Sequence, residues 1–522
     1  MTPTRRSRVD VAQSVRTLFT RTAVLVLAGV VAGACSSGES ILTIGQEDAV
    51  STTTAAVAPP STDASGSTIA PTSTVAPTTT QAPLAEFGDC PVEALDGADG
   101  PVGITFWHGL GNDLENALIA LTDEYNASQD RVVVDLQNQT SYDSAIDKYI
   151  QSSQDGRPNV IQFPEYTLQS FAQSGTLIPV EACIQASGYD TAPFLDRALD
   201  AYTFEGIGWA MPFNVSNPVL YYNRKVFEAA GLDPDDPPIT LEELRAASQA
   251  IVDSGAATYG WVVDSGANSG GGWFLEQWFG RAGELYADNG NGRVAPATRV
   301  LYDDSTGVEL LTFVQQMIAD GLAVSVGDNS GGTDAFLKVA DPVAPGAMTI
   351  GTSAAMGLVF SALGGGLIPG LTAEDVGVGP MPGPGEEIGA QVGGGSLWIV
   401  GEKGDEETAA AWDFIQFLVS AESQSEWAAA TGYVPVRSDS VDIEPLASTY
   451  ATDPRYKVPY DQLLTSVEGE ASLSPVIGPQ REVRVATANA VAAIFDGADV
   501  ATSLADAAAQ SNALIASYNQ RN

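Results

Sequence analysis

The side chains able to do covalent chemistry here are few: one histidine, His108, and three cysteines, Cys35, Cys90 and Cys183. His108 has no recognisable nucleophile partner, so neither a Ser-His-Asp nor a Cys-His mechanism can be built on it. No Cys/His cluster has the spacing of a zinc site. Paired carboxylates can cut glycosides without histidine; acids are plentiful, yet none falls in a recognisable catalytic pairing. An enzyme is therefore not expected, and neither a cofactor nor a metal. What remains is non-covalent binding.

Cys35 is a separate case. It follows Arg5, Arg6, Arg8, Arg16 and Arg21 and then an apolar run over residues 23–34. A basic head, a short apolar run and small residues read as a secretory leader over residues 1–34. The run is too short to cross a bilayer comfortably, which takes about 20 residues. The box Val31-Ala32-Gly33-Ala34-Cys35 is similar to a lipoprotein signal, with Ala32 in place of the common Leu. This implies cleavage before Cys35 and its acylation, and two acyl chains would hold the chain durably on the membrane. The protein is thus expected outside the cytoplasm, lipid-anchored to the cell membrane. There Cys90 and Cys183 are either a disulfide or two separate thiols.

Formal net charge is −42. The leader holds five arginines and one acid, so the remainder is more acidic still. Such a field repels nucleic acid and anionic lipid at long range, and no nucleic-acid partner is expected.

Binding residues need elements to hold them. Residues 36–87 are Ser, Thr, Ala and Pro with few large apolar side chains. Such a stretch buries too little to offset chain entropy, so residues 35–100 read as a lipidated, disordered tether. The body is expected over 101–522. Residues 103–107, 132–136, 159–163 and 347–350 read as strands. Residues 114–126, 142–152, 241–254 and 308–319 read as helices, the first with Leu114, Leu118, Leu121 and Tyr125 on one face. Strands alternating with helices predict a parallel sheet covered on both faces. So long a body exceeds one ordinary core, and two α/β lobes are expected, roughly 101–210 plus 345–415 and 211–344 plus 416–522. Ligands in such sheets sit beyond the carboxyl ends of the strands, here in a cleft between lobes.

Several blocks of the body resemble the substrate-binding proteins of ABC importers, and more narrowly the glycerol-3-phosphate-binding branch. They are Ile104-Thr105-Phe106-Trp107-His108-Gly109, residues 212–223 with Tyr221-Tyr222-Asn223, residues 229–234, Pro237-Pro238, Gly393-Gly394-Gly395-Ser396-Leu397-Trp398, Thr431-Gly432-Tyr433-Val434-Pro435 and Arg481-Glu482-Val483-Arg484. The resemblance implies a bilobal periplasmic-binding-protein-like fold of type II, with a hinge and an interlobe cleft. It also implies a monomer that hands a small molecule to the transmembrane subunits of an ABC permease. The implied cleft residues are Tyr142, Glu165, Ser216, Trp273, Ser353, Gly393, Gly394, Tyr433 and Arg481.

Their chemistry suits a glycerophosphate compound. Arg481 offers a planar fork of donors for phosphate oxygens, Ser216, Ser353, Tyr142 and Tyr433 add neutral donors, and Glu165 accepts from glycerol hydroxyls. A backbone N–H at Gly393 or Gly394 can approach a bound oxygen closely. Arg484 lies on the same helical face as Arg481 and is the weaker candidate. Trp107 and His108 follow the first strand and fit packing beneath the cleft at least as well as ligand contact. In residues 266–278 the glycines before Trp273 take the place of an aromatic of the family pattern, which would open the pocket. A roomier pocket would admit a glycerophosphodiester such as glycerophosphocholine, with Trp273 or Tyr142 facing its quaternary amine. The alternative cargo is an oligosaccharide, which has no need of Arg481.

Overall fold

A computed structural model describes residues 87–329, 332–466 and 469–522. The expectations for the leader, for Cys35 and for the tether up to residue 86 lie outside these residues. Thirteen strands occur among the described residues: β1 Val102–His108, β2 Val132–Asn138, β3 Val160–Pro164, β4 Leu177–Ile178, β5 Thr203–Phe204, β6 Ile207–Gly208, β7 Met211–Ser216, β8 Pro218–Asn223, β9 Tyr259–Val263, β10 Ala323–Ser325, β11 Gly346–Thr352, β12 Val376–Pro380 and β13 Gly393–Val400.

The sequence patterns place most early elements well. Helix Asn112–Ser128 buries Leu118, Leu121 and Tyr125. Helix Leu241–Ser254 starts at a reciprocal cap between Thr240 and Glu243, which satisfies two otherwise orphaned donors. It stops at Gly255, whose φ of 72° suits a residue without Cβ.

The strands form two main sheets. The first runs β2-β1-β3-β13-β4 with β7 also paired to β13, and the second runs β10-β9-β11-β8-β12. Neither is wholly parallel, contrary to the expectation. In the first, β13 lies antiparallel to β3, β4 and β7; in the second, β8 lies antiparallel to β11 and β12. Strand–helix alternation reports only the local crossovers, not where a strand arriving from far along the chain inserts.

The lobe boundaries differ for the same reason. Strand β11, expected in the first lobe, sits between β9 and β8 in the second sheet. Conversely β7 and residues 416–436 belong with the first lobe, where Leu418, Trp427 and Val434 join the core of Phe106, Phe163 and Trp398. The first lobe also starts earlier than residue 101. Phe87 meets Trp209 edge-on at 4.9 Å, Cys90 is disulfide-bonded to Cys183, and Leu95 is buried in the same core. Three anchors in a polar stretch were invisible to a composition-based boundary.

The chain passes between sheets at Asn217, between β7 and β8, and again between β12 and β13. A helix over Val458–Thr465 lies at the junction: Tyr460 and Leu463 enter the first core. Its Gln462 ties the crossings together. The side chain accepts from the Met381 N–H at 2.7 Å and donates to Asn217 Oδ1 at 3.0 Å and the Pro218 carbonyl at 2.8 Å. Gln462 is 1% exposed, so no water can replace these bonds cheaply.

His108, at the end of β1, is buried, and its Nδ1 lacks a hydrogen-bond partner among the described residues. Burial lowers its pKa to about 4, against a smaller opposing pull from Glu115. No group of three or more His, Cys, Asp or Glu among the described residues could hold a metal ion.

Two outcomes follow. Gln462→Leu strands the Met381 N–H and Asn217 Oδ1, and chemical denaturation is expected to show a loss of about 2 kcal/mol or more. An NMR titration of the sole imidazole is expected to have its midpoint near 4. The unfolded chain binds a proton between that value and 6.5 that the folded chain refuses, so stability falls as pH drops through this window; His108→Gln removes that slope.

Candidate ligand cleft between the lobes

The cleft is organised around three glycines. Gly393, Gly394 and Gly395 of β13 face Ser216, Val215 and Asn214 of β7, and the register shifts just after Gly395. Gly394 has φ +96°, and a Cβ there would lie 2.0 Å from the Asn214 carbonyl. A Cβ on Gly393 would meet the Trp273 ring at 2.3 Å, and one on Gly395 would meet Tyr142 Oη at 3.0 Å. Bare backbone thus lets Tyr142 of the first lobe and Trp273 of the second close on one strand.

A chain of amides and phenols fixes the first-lobe wall. Gln162 accepts from the Gly109 N–H at 3.2 Å and donates to Asn214 Oδ1 at 2.8 Å; Asn214 donates to Tyr142 Oη at 2.7 Å. The Tyr433 hydroxyl lies close enough to that of Tyr142 for the two to influence each other electrostatically. Tyr433 stacks on Trp427 at 5.5 Å between centroids. Its neighbour Val434 donates to the Val215 carbonyl at 2.8 Å. Burial is the main cause that raises both phenol pKa values, so both remain neutral O–H groups.

Ser353 follows β11 at the crossing, where its N–H donates to the Asn217 carbonyl at 2.9 Å and its Oγ accepts from the Asn217 N–H at 3.4 Å. Ser216 and Ser353 are both buried.

The second-lobe wall corrects one expectation. The glycines before Trp273 do not open a pocket. Asp264 accepts from the Gly266 and Gly270 N–H groups and from Ser269 Oγ, curling the loop on itself. Cβ atoms on Gly270, Gly271 and Gly272 would come within 2.0–2.2 Å of the carbonyls of Asp264, Ser265 and Ala267. A Cβ on Gly272 would also lie 3.2 Å from Cβ of Arg484. The glycines therefore let the loop pack tightly against the helix Gln480–Phe495.

That helix carries the two late arginines, and they differ in burial. Arg481 lies at the rim with its side chain 38% exposed, 3.0 Å from Asp143 and 2.8 Å from Asp147 on helix Tyr142–Gln151. Arg484 is buried. Its Nε and Nη2 grip Glu276 at 2.9 and 2.7 Å, Nη2 also reaches Glu165 at 2.9 Å, and Nη1 donates to Asn268 at 3.3 Å. The guanidinium also lies 5.0 Å from the Tyr166 ring centroid. The signal that separates them is periodic: Gln480, Val483, Arg484, Thr487, Val491 and Ile494 form the buried stripe of this helix. Arg481 falls at its edge.

The structure thus brings together Tyr142, Ser216, Trp273, Gly393, Gly394 and Tyr433, sets Glu165 on Arg484, holds Ser353 at the crossing and leaves Arg481 at the rim. Glu276, Asn214, Gln162 and Asn268 were not anticipated. Glu276 lies one helical turn after Trp273, a spacing that puts both on one face. Burial raises the Glu165 pKa, while Arg484 pulls it back down. Four carboxylates and two guanidiniums meet across the gap. The set binds and orients hydroxyls and charges, and it contains no paired nucleophile and base.

A family profile described as "Bacterial extracellular solute-binding protein" matches residues 120–458. The sn-glycerol-3-phosphate-binding periplasmic protein UgpB of Pectobacterium atrosepticum is 25% identical over 436 residues, covering 81% of this chain and 94% of its own. The protein of that name from Escherichia coli O6:K15:H31 is 24% identical over 405 residues, covering 76% and 88%. Among solved structures, UgpB of Mycobacterium tuberculosis in complex with glycerophosphocholine superposes with a TM-score of 0.64 at 20% identity, covering 80% of this chain and 98% of that one. The GacH receptor of Streptomyces glaucescens, solved unliganded and with acarbose, gives 0.66 at 18% identity, covering 80% and 99%. These likenesses confirm the bilobal type II fold.

Removing Glu276 takes two charge-assisted bonds from a guanidinium that cannot reach water. Glu276→Ala is expected to lower unfolding free energy by about 3 kcal/mol, measured by urea denaturation.

Proposed function

The chain belongs to the bacterial extracellular solute-binding proteins that serve ABC importers, a family of transport rather than catalysis, and on that premise we propose that its cargo is a glycerophosphate compound. The observation that carries this reading is Arg484, a buried guanidinium at the cleft with Glu165 beside it. A phosphoryl group takes a guanidinium edge through charge-assisted bonds. Glu165 then accepts from glycerol hydroxyls, and the neutral hydroxyls of Tyr142 and Tyr433 donate to the remaining oxygens. Trp273 offers an apolar face beside Gly393 for the carbon skeleton.

The charge balance narrows the cargo further. Glu165 and Glu276 outnumber Arg484, and Asp143 and Asp147 outnumber Arg481. A phosphomonoester brings up to two negative charges into this excess. A diester with a quaternary amine brings one of each sign, and the aromatic and acidic groups favour its cation. Glycerophosphocholine therefore fits better than glycerol-3-phosphate. Two UgpB names point to the same chemistry in relatives: the glycerol-3-phosphate-binding proteins and the M. tuberculosis complex with glycerophosphocholine. Acyl chains on Cys35 and the tether behind it would keep the body close to its permease.

One observation favours an oligosaccharide instead: both guanidiniums already hold two carboxylates each. Calorimetry separates the readings. Glycerophosphocholine is expected to bind more tightly than glycerol-3-phosphate, with a maltooligosaccharide not binding. Arg484→Gln is expected to weaken glycerophosphocholine by at least about 2 kcal/mol, and Arg481→Ala by much less. Tight oligosaccharide binding that survives both substitutions overturns the reading.

A further inference from the structure

The second sheet has two faces, and they are covered unequally. Along β8, Leu220 and Tyr222 join the main core of the second lobe, while Val219 and Tyr221 join a small cluster on the other side with Met356, Phe360 and Leu363. Two short helices cover that side, Asp334–Val339 and Met356–Gly364. From the first of them Phe336 meets Tyr221 edge-on at 4.9 Å. Between sheet and helices lies a cavity of about 840 Å³, within the roughly 300–1,000 Å³ of small-molecule sites. Its lining comes from the second lobe alone, so the relative position of the lobes does not enter.

Ala355, Leu358, Val359 and Ala362 line the cavity at helical spacing, and so do Phe336, Leu337 and Ala340, so each helix turns one apolar stripe toward it. Leu337 and Leu358 are also 50% and 42% exposed, which places them at its mouth. No charged side chain lines it. Lys225 and Lys338, next in sequence to lining residues, are already paired with Asp375 and Asp341. The polar side chains of the lining are answered by the protein in all cases but one. Tyr221, Tyr222 and Thr349 donate to the carbonyls of Thr352, Pro234 and Val262, and Asn223 accepts from the Val226 N–H. The hydroxyl of Thr333 is buried and has no hydrogen-bond partner among the described residues.

We propose that this cavity binds an uncharged amphiphile: a hydrocarbon chain with one hydrogen-bonding group, an alcohol or an ester, that meets Thr333. Protein interiors keep few voids larger than a water molecule, because atoms lining a void lose dispersion contacts. A hydrocarbon chain restores those contacts. An ionised head group does not fit, since a carboxylate or an ammonium would be buried where no opposite charge faces it. The net charge of −42 adds repulsion against any anion. A hydroxyl both donates and accepts, so Thr333 answers either an alcohol or an ester carbonyl. This site is separate from the cleft between the lobes, and it stands whatever the cargo of that cleft.

Calorimetry of the full-length chain with 1-decanol tests this. One molecule is expected to bind per chain, with Kd on the order of 10 μM and a negative heat-capacity change. Decanoate at neutral pH is expected to bind at least about tenfold more weakly, because its charge must be buried. Ala362→Trp fills the cavity and is expected to abolish binding. Thr333→Val keeps the shape, removes the hydroxyl and is expected to weaken 1-decanol about fivefold. Should Ala362→Trp fail to fold, Ala340→Phe fills the same space from the other helix. Methyl NMR shifts of Leu358 and Leu363 on adding 1-decanol locate the site in the wild type without any substitution. No binding of 1-decanol, binding that leaves those methyls unmoved, or binding that survives a folded filling variant overturns the proposal. So does a face that proves to serve something larger: self-association, or co-sedimentation with phosphatidylcholine vesicles, that the filling variants abolish while 1-decanol does not bind.

Discussion

A guanidinium does not enter a protein interior alone. Moving one charge from water into a low-dielectric site costs several kcal/mol even after relaxation, and Arg484 is 3% exposed. Its partners are therefore set by necessity. Glu276 meets it from the same lobe and Glu165 from the other. From that single constraint follow the excess of negative charge around Arg484 and the contact between lobes. The loop over residues 266–272 serves the same end: its glycines let backbone approach the helix that carries Arg484 and place Asn268 on the remaining side.

The rest of the cleft is built on bare backbone. Three consecutive glycines on β13 admit Trp273 from one side and Tyr142 from the other. The amide relay from Gln162 through Asn214 then fixes Tyr142 without any charge. Such a relay stiffens the wall because Gln162, Asn214 and Tyr142 answer one another in the interior. The junction between lobes follows the same logic, since Gln462 bonds both Asn217 and Met381, the residues at which two crossings begin. One buried amide thus joins two of the passages between the sheets.

Legibility in the sequence followed the range of the interactions. Elements set by local pattern were readable: the buried face of helix Asn112–Ser128 and the capped start of helix Leu241–Ser254 are properties of neighbouring residues. The antiparallel insertion of β13 and the placement of β11 in the second sheet were not, because partners more than a hundred residues away decide them. The site shows the same division. Residue types able to bind a polyol or a phosphate were visible, and the resemblance of the blocks at 212–223, 393–398 and 431–435 located them. Which of two arginines three residues apart turns inward depended on the apolar stripe of one helix, and the sequence alone had ranked the rim residue first.

By itself the amino-acid sequence determined the strongly acidic character and the two-lobed α/β class, because composition, chain length and short-range periodicity do not depend on the packing. Only the tertiary structure decided that Cys90 meets Cys183, that residues 87–100 belong to the body, and that Glu276 and Glu165 share Arg484. Each of those depends on distance in space between residues far apart in the chain, and the free energy that selects them is the burial of charge and apolar surface, which exists only once the lobes have packed.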